Sequence, residues 1–285
     1  MLRTFTSPAE VFEQLTTLRK AGKRVGLIPT MGALHEGHLS LVERAKKTCD
    51  VAIATIFVNP TQFGPKEDFS KYPRTLERDQ ELLQKVGCDF LFCPSADVIY
   101  PPGYSTAVEP PAVSIPLEGK CRPGHFRGVA TIVLKLFQLL PSDQAFFGIK
   151  DYQQLQVIKR MVVDLNVPIE IVACPIVREA DGLAMSSRNR YLSPAEREQA
   201  LALSRGLRSA ESLLASGTTE VGKLQRAILE ELQNAHIERV DYVAIAHPET
   251  LSEVDRIDDG AVALIAAFVG TTRLIDNRVL VPTRV

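Results

Sequence analysis

Residues 25–39 read VGLIPTMGALHEGHL, and this stretch decides the fold. Its opening residues, VGLIP, form a short and continuous apolar run, which is typical of a strand buried on both faces of a sheet. A turn with two glycines follows, and helical periodicity then runs over residues 38–47. The stretch therefore predicts a buried strand, a tight turn and a helix, in that order.

The alternation of strand and helix continues through the first part of the chain. Helices are predicted over residues 75–86 and 127–140, and Asp151 can cap another helix. Apolar strands that alternate with helices are typical of a parallel sheet covered on both faces. Further strands are predicted at VAIATIFV (51–58), DFLFC (89–93), QAFFG (144–148) and IEIVAC (169–174).

A different pattern begins after about residue 177. Ser193, Pro194 and Glu196 form a capping box with proline at the first helical position, which predicts a long helix. A second amphipathic helix is predicted near residues 221–232. Two strand candidates finish the chain: VDYVAIA (240–246) and AVALIAAFV (261–269).

These patterns predict an α/β protein with two domains, and a chain of 285 residues is long enough for both. Residues 1–177 are expected to form a doubly wound, Rossmann-like parallel sheet. Residues 178–285 are expected to form a smaller α+β lid domain.

The composition points to a small-molecule partner. Apolar residues make up 45% of the chain, charged residues make up 24%, and the formal net charge is -1. No long run carries one sign of charge, so neither a nucleic-acid groove nor a membrane surface is expected as a partner. The longest apolar runs are also too short to span a bilayer.

The cysteines and the N-terminus favour the cytoplasm. The opening residues, MLRTFTSPAE, lack the apolar core of a secretory signal. The five cysteines are odd in number and form no CxxC pair. A zinc site or a disulfide framework is therefore not expected.

The first strand-to-helix turn is the candidate site. Ligands of doubly wound sheets bind beyond the carboxyl ends of the strands, near the point where the strand order reverses. Gly32 and Gly37 let the backbone pass close to a ligand, and the start of the helix offers N–H donors that suit a phosphate. His35 and His38 add imidazole donors at the same place. Together they predict a site for the charge that develops on a phosphorus centre.

Other interpretations of the two histidines stay open. Either one alone can be a polar cap at a helix start. Zinc is a further possibility, but the spacing lacks the HExxH form and no third ligand stands out. A P-loop is excluded because GxxxxGK[ST] is absent, and the sequence also lacks a GxGxxG fingerprint.

The HEGH segment resembles the HxGH signature of the nucleotidylyltransferase superfamily. Its companion motifs are more specific, and they resemble the pantothenate synthetase family in that family's order over essentially the whole chain. The companions are IFVNPTQF (56–63), YPRTLERD (72–79), RPGHFRGVATIV (122–133), FFGIKDYQQL (146–155), DGLAMSSRNRYL (181–192) and RLIDN (273–277).

The resemblance implies an ATP-dependent ligase that joins (R)-pantoate to β-alanine. The pantoate carboxylate would attack the α-phosphorus of ATP, and β-alanine would then attack the pantoyl adenylate and release AMP. The small-molecule partners are thus (R)-pantoate, β-alanine and ATP. Mg²⁺ is expected as the counter-ion of ATP, although no protein ligand for it can be named. The resemblance also implies a homodimer.

The resemblance assigns ATP to three segments. His38 is the position of the family's proton donor, and His35 and Lys150 would steady phosphate charge. Ser186, Ser187 and Arg188 would clasp the β and γ phosphates from the smaller domain. The implied ATP-binding residues are Met31, Gly32, Ala33, Leu34, His35, Glu36, Gly37, His38, Gly148, Ile149, Lys150, Asp151, Val177, Met185, Ser186, Ser187 and Arg188.

The resemblance places pantoate on two glutamines, Gln62 and Gln154, with Gln62 also approaching β-alanine. A glutamine amide offers both the donor and the acceptor that a hydroxy acid requires. Asn59 and Tyr72 would line the same region. In the loop RPGHFRG (122–128), His125 and Arg127 are either a second phosphate or carboxylate contact or part of a helix cap.

Two other function classes remain open at the level of sequence. A plain nucleotidylyltransferase would use the same HxGH turn and leave AMP on its product. A non-catalytic regulator would bind ATP and keep it intact. Only the two glutamines separate the ligase from the transferase.

Overall fold

Six parallel strands form the sheet of the larger unit, which comprises Met1–Ile149 and Gln153–Pro175. The structure is a computed structural model that describes residues 1–65 and 67–282. All six strands are short. They are β1 (Arg3–Phe5), β2 (Val25–Ile28), β3 (Val51–Thr55), β4 (Phe90–Phe92), β5 (Gln144–Gly148) and β6 (Glu170–Cys174).

The strand order is β1-β4-β3-β2-β5-β6. Strand β2 pairs in parallel with β3 on one side and with β5 on the other. The order therefore reverses between β2 and β5, which makes their carboxyl ends the switch point of a doubly wound sheet. The predicted parallel sheet is confirmed.

Helices cover both faces of this sheet. Val25 and Leu27 of β2 belong to a core cluster with residues of α1, α6 and α7, whereas Ile28 belongs to a second cluster with residues of α2 and α3. The side chains of β2 thus reach both faces, as its continuous apolar run predicts. The helices are α1 (Pro8–Lys20), α2 (Glu36–Thr48), α3 (Leu76–Lys85), α4 (Ala96–Ile99), α5 (Glu118–Cys121), α6 (His125–Leu139) and α7 (Tyr152–Asp164).

Some elements of the larger unit were not predicted from the sequence, or begin at a different residue. Strand β1 has three residues, and α1 buries only Val11 and Leu15 along its length, so neither carries a strong periodic signal. Helix α6 begins two residues earlier than predicted, at His125. Asp151 lies in a 3-10 turn, Ile149–Asp151, that leads directly into α7.

The smaller unit comprises Lys150–Tyr152 together with the chain from Ile176 onward. Two helices pack on an antiparallel sheet of order β7-β8-β9 around one apolar core. The capping box is confirmed, because Ser193 Oγ accepts from the Glu196 amide and Glu196 Oε2 accepts from the Ser193 amide at 2.8 Å. The elements are α8 (Pro194–Ala215), α9 (Val221–Asn234), β7 (Val240–Ala246), β8 (Ala261–Val269) and β9 (Thr272–Leu280).

The third strand of this sheet, β9, was not predicted. The strand reads TRLIDNRVL and buries Asp276 and Asn277 almost completely. Buried polar residues break the apolar signal that marks β7 and β8, so the pattern of β9 does not indicate a core strand. Among the residues described, no helix has both the length and the apolar character needed to cross a membrane.

Candidate active site

The turn between β2 and α2 is held by side chains from β3 and α3. Thr30 Oγ1 donates to the Thr55 carbonyl at 2.5 Å, and the Thr30 amide donates to Thr55 Oγ1. The amides of Ala33 and Leu34 donate to the two oxygens of Asp79, each at 2.9 Å. The turn is therefore anchored before any ligand arrives.

His35 is the N-cap of α2. Its Nδ1 accepts from the Gly37 amide at 3.2 Å, and its backbone is extended, as a cap requires. Because Nδ1 accepts, the neutral ring carries its proton on Nε2. His35 thus caps the helix with one ring nitrogen and carries its proton on the other.

His38 is the third residue of α2, and its ring lies against that of His35. The two ring centroids are 4.1 Å apart and the rings are tilted by 43°. Both side chains are half-buried. The helix start therefore presents two imidazoles side by side, as the HxGH spacing predicts.

Several backbone amides around the start of α2 are already paired inside the protein. The Gly32 amide donates to Thr30 Oγ1, and the His38 amide donates to the His35 carbonyl at 2.8 Å. The amides of Ala33, Leu34 and Gly37 are engaged as described above. These amides are consequently engaged within the protein before a ligand binds.

Gln62 is oriented by Asn59 and Met31. Asn59 Nδ2 donates to Gln62 Oε1 at 3.0 Å, and Gln62 Nε2 points to Met31 Sδ at 3.1 Å. The predicted residues Met31, Asn59 and Gln62 are therefore brought together. They meet at the 3-10 turn Pro60–Gln62, which Asn59 caps.

Asn59 itself is a supporting residue. It is 1% exposed, and its Oδ1 accepts from the Tyr100 hydroxyl at 2.7 Å and from the Thr61 hydroxyl at 2.9 Å. Its Nδ2 also donates to the Gly128 carbonyl at 3.2 Å. With these bonds made inside the protein, Asn59 contributes by holding Gln62 rather than by presenting its own amide.

Gly128 allows this 3-10 turn to approach α6. A Cβ built at Gly128 would lie 2.3 Å from the Thr61 carbonyl oxygen and 2.7 Å from Gln62 Cα. Both contacts are with backbone, which cannot swing away. Only glycine therefore fits at this point of α6.

The neighbouring glutamines of α7 have different environments. Gln153 is 3% exposed, and its amide bonds the Glu118 amide and the carbonyls of Val113 and Pro116. Gln154, the predicted substrate residue, is half-buried on the same helix. Tyr72 is buried and packs edge-on against Phe63, with ring centroids 5.9 Å apart.

His125 supports the backbone of Gln62. Its Nε2 lies 3.0 Å from an Arg122 nitrogen, which can only donate, so Nδ1 carries the proton and donates to the Gln62 carbonyl at 2.9 Å. Arg122 in turn forms a bidentate pair with Glu67. Burial and the charge of Arg122 lower the pKa of His125 from 6.5 to about 4.

We expect this buried histidine to make folding stability pH-dependent. Between pH 6.5 and 4 the unfolded chain binds the proton that folded His125 does not, so stability falls as the pH is lowered. The free energy of unfolding should drop by about 2 kcal/mol from this group between about pH 7 and pH 5. Urea unfolding at the two pH values measures the drop.

The matched variants are His125→Asn and His236→Asn. The first keeps an N–H donor near the ring Nδ1 but cannot titrate, whereas the second alters an exposed histidine whose positive φ suits asparagine. The drop should shrink in His125→Asn and persist in His236→Asn. An unchanged drop in His125→Asn would contradict the assignment.

A cavity of about 270 Å³ borders the Gln62 backbone and the start of α6. Arg127 lines it, with its Nε 3.8 Å from Glu109 Oε2. His125 also lines it, but both of its ring nitrogens are engaged, so it is a helix-start residue rather than an anion contact. Arg127 keeps a charge that can meet an anion there.

In the smaller unit, the segment Lys150–Tyr152 is fastened at both ends. Asn277 Nδ2 donates to the Lys150 carbonyl at 2.8 Å, and the Tyr152 hydroxyl donates to the Pro248 carbonyl at 3.0 Å. The backbone that carries Lys150 is therefore fixed by β9 and by the loop after β7.

The predicted residues Val177 and Met185 face each other in a narrow hairpin. The Met185 amide donates to the Val177 carbonyl at 3.0 Å. Arg178 secures the hairpin, because it donates to the Gly182 carbonyl and forms a bidentate pair with buried Asp276 at 2.7 and 2.9 Å.

Ser186 caps the 3-10 turn Ser187–Tyr191, because its Oγ accepts from the Arg188 amide at 3.3 Å. A hydroxyl that accepts in this way still has its proton to donate. Asn189 fastens the same turn to Glu179 and to the Ala184 carbonyl. The serine pair and Arg188 thus occupy a held, capped turn.

The sequence patterns did not single out three supporting residues, Asp79 of the larger unit and Asp276 and Asn277 of the smaller unit. All three are at most 4% exposed. Asp79 and Asp276 are almost completely buried carboxylates, which proteins rarely tolerate without partners. Their position at the ends of two quoted motifs was the available signal, but their partners lie far away in sequence.

Comparisons with known proteins give one consistent family. The family model described as Pantoate-beta-alanine ligase matches residues 3–279. A pantothenate synthetase of Thermotoga neapolitana is 52% identical over 263 residues, which cover 92% of this chain and 94% of that protein. Pantothenate synthetase 1 of Bradyrhizobium diazoefficiens is 52% identical over 283 residues and 98% of both chains.

Solved structures agree with this result. The crystal structure of pantothenate synthetase from Thermus thermophilus has a TM-score of 0.92 at 47% identity, covering 97% of this chain and 98% of that chain. A pantoate-beta-alanine ligase from Francisella tularensis, complexed with beta-gamma ATP and beta-alanine, has a TM-score of 0.81 at 34% identity, covering 98% and 97%. The chain therefore belongs to the pantoate-beta-alanine ligase family.

Proposed function

We propose that the two imidazoles at the start of α2 bind ATP at its α-phosphorus during an acid-activating reaction. The chain is an ATP-dependent ligase that condenses (R)-pantoate with β-alanine to give pantothenate. In the first step the pantoate carboxylate attacks the α-phosphorus and expels pyrophosphate. In the second step the amine of β-alanine attacks the acyl carbon of the pantoyl adenylate and releases AMP.

The reversal of strand order between β2 and β5 carries this proposal. It sets the histidine turn after β2 beside the end of β5, at the edge where doubly wound sheets bind nucleotides. A carboxylate is a poor acylating agent because its leaving group would be oxide. Adenylation supplies a better leaving group, and donors at the α-phosphate stabilise the charge that develops as pyrophosphate departs.

His35 and His38 have separate parts in this step. His35 keeps Nδ1 in the helix cap, so its Nε2–H is the group assigned to a phosphate oxygen. His38 is assigned a second donor and the role of proton donor to the departing pyrophosphate. The other residues assigned to ATP in this segment are Met31, Gly32, Ala33, Leu34, Glu36 and Gly37.

The segment after β5 supplies a positive charge. Lys150 is assigned to the phosphates, because its compact ammonium suits a phosphate oxygen. Gly148, Ile149 and Asp151 are assigned to ATP on the same family grounds. In the smaller unit the residues assigned to ATP are Val177, Met185, Ser186, Ser187 and Arg188, whose hydroxyls and guanidinium suit the β and γ phosphates.

Gln62 and Gln154 are assigned to pantoate, and Gln62 is also assigned to β-alanine. The bond from Asn59 supports this assignment, because it fixes the Gln62 amide with its oxygen toward Asn59. Asn59 and Tyr72 act as supports of the substrate region.

Mg²⁺ enters as part of the substrate MgATP. Across residues 1–65 and 67–282, no group of three or more His, Cys, Asp or Glu side chains is placed to hold a metal ion. Phosphate oxygens and water suit Mg²⁺ as ligands, and the metal would neutralise charge on the leaving pyrophosphate.

A homodimer in the cytoplasm is the proposed setting. The dimer rests on the family resemblance, and gel filtration with light scattering tests it. The compartment rests on the five cysteines, an odd number without a CxxC pair, which fits a reducing environment.

An assay of AMP formation tests the proposed function. AMP should form only when ATP, pantoate and β-alanine are all present. If β-alanine is omitted, the ligase should retain the adenylate with little turnover, whereas a nucleotidylyltransferase would release pyrophosphate steadily. A regulator would leave ATP intact with both co-substrates present.

Replacing Gln154 by alanine should raise the KM for pantoate by about tenfold and change that for ATP much less, because one hydrogen-bonding amide is lost. Steady-state kinetics with each substrate varied in turn measures the two values. Gln153→Ala is the control, since it removes internal bonds of the same helix and should lower thermal stability with both KM values unchanged. Equal rises for pantoate and ATP in Gln154→Ala would contradict the placement.

A further inference from the structure

Asp79 binds the backbone of the candidate phosphate turn from a distant helix. Its carboxylate is 1% exposed on α3, and its two oxygens accept from the successive amides of Ala33 and Leu34 at 2.9 Å. Thr75 Oγ1 donates to the same carboxylate at 3.2 Å. The carboxylate is therefore fixed on three sides.

The turn that Asp79 binds has an unusual backbone. Gly32 has a φ of 81° and Ala33 has a φ of 51°, a conformation that a non-glycine residue adopts only at a cost. A Cβ on Gly32 would lie 3.1 Å from Asp79 Oδ2 and 3.0 Å from Ile56 Cγ2. The amides of this turn converge in the manner of an anion-binding nest.

At the carboxyl end of a strand beside the switch point, such a nest is a position where a phosphate commonly binds. Here the protein's own carboxylate occupies it. Two consequences follow. The phosphates of the ligand cannot use the Ala33 and Leu34 amides. The next residue, His35, is the N-cap of α2, and it follows a stretch of backbone that Asp79 holds.

We propose that Asp79 is a positioning residue for adenylation, because it fills the nest and thereby aims His35 and His38 at the α-phosphorus. This inference rests on the proposed function of the two histidines. Asp79 touches no reacting atom in this scheme. Its effect should therefore be confined to the step in which the phosphorus changes partners.

The test measures the two half-reactions separately on the full chain. Pantoate-dependent exchange of pyrophosphate into ATP reports adenylation, and pantothenate formation from added pantoyl adenylate and β-alanine reports the second step. Asp79→Asn keeps the shape of the side chain but can accept from only one of the two amides. Adenylation should slow by about 30-fold, because orientation of the donors is lost, while the second step stays within about threefold.

The matched control is Asp143→Asn. Asp143 accepts from the Val25 amide at 2.8 Å, so it holds the opposite end of the same strand, β2, away from the histidine turn. This variant should be less stable and should slow both half-reactions by one common factor. The same common factor in Asp79→Asn, or adenylation at the wild-type rate, would overturn the inference.

Thr75→Val is a second test of the inference, for use if Asp79→Asn does not fold. The change removes only the hydroxyl that contacts Asp79, and Thr75 makes no side-chain cap bond at the start of α3. We expect a loss of about threefold in adenylation alone, as for one hydrogen bond to a supporting group. A loss shared equally by both steps would count against the inference. A wild-type protein without pantoate-dependent exchange would instead refute the proposed function itself.

Discussion

His38→Ala is expected to slow adenylation by at least about 100-fold, the usual effect of removing a preorganised donor from a developing charge. The substitution should leave the fold intact, because alanine suits the first turn of a helix and His35 still caps α2. Pantoate-dependent exchange of pyrophosphate into ATP measures the loss, which corresponds to about 3 kcal/mol of transition-state stabilisation.

A second variant at this position separates proton transfer from hydrogen bonding. The amide of His38→Gln can donate to a phosphate oxygen but cannot release a proton. If His38 acts by donation, the glutamine variant should recover about tenfold over His38→Ala. If proton transfer is essential, glutamine should be as slow as alanine.

Variants of His35 can separate its two hydrogen bonds, the one that caps α2 and the one proposed to a phosphate oxygen. Asparagine is a good N-cap, so His35→Asn should keep α2 stable, whereas His35→Ala should cost about 1 kcal/mol of folding stability. Both variants should lose adenylation activity. Wild-type exchange in His38→Ala would contradict the phosphate-site assignment, and His236→Asn serves as the control for an exposed histidine.

Lys150→Ala is expected to reduce kcat/KM for ATP in adenylation by at least about 100-fold, since the positive charge that we assign to the phosphates is lost. The structure fixes the backbone of Lys150 through the bond from Asn277, so its ammonium starts from a defined point. Initial rates of pyrophosphate exchange at varied ATP measure the effect. Lys150→Arg should retain part of the activity, because the charge stays but the compact geometry changes.

The controls for Lys150 address charge and position. Lys85→Ala removes an exposed lysine at the end of α3 and should leave the kinetics unchanged. Asn277→Ala keeps the Lys150 charge but removes its backbone support, and a smaller loss of about tenfold is expected. Near-normal exchange in Lys150→Ala would show that this lysine is a solvated loop residue.

Most of the fold could be predicted because its strands are short apolar runs with clear ends. The predicted strand QAFFG matches β5, and VDYVAIA and AVALIAAFV match β7 and β8 residue for residue. Strand β1 and helix α1 were missed because their local signals are weak. Strand β9 was missed because three of its buried positions, Thr272, Asp276 and Asn277, are polar and so interrupt the apolar signal.

The candidate site divides in a similar way. The paired histidines after β2 could be predicted because strand, glycine turn and helix start adjoin in sequence. Which backbone donors are available could not be predicted. The amides of Ala33 and Leu34 donate to the carboxylate of Asp79, which lies 46 and 45 positions away from them in sequence. The tautomer of His35 also depends on geometry, since the cap bond decides which ring nitrogen keeps the proton.

By itself, the sequence determined the parallel sheet, the position of the histidine turn at a strand end, and the family, because periodicity and contiguous motifs are local properties. Only the tertiary structure decided which distant residues support the candidate site residues. Asp276 meets Arg178 across 98 positions, and Asn277 meets Lys150 across 127. Folding decides which residues become partners, because a buried polar group must form a hydrogen bond and only the folded chain brings a distant donor or acceptor close enough.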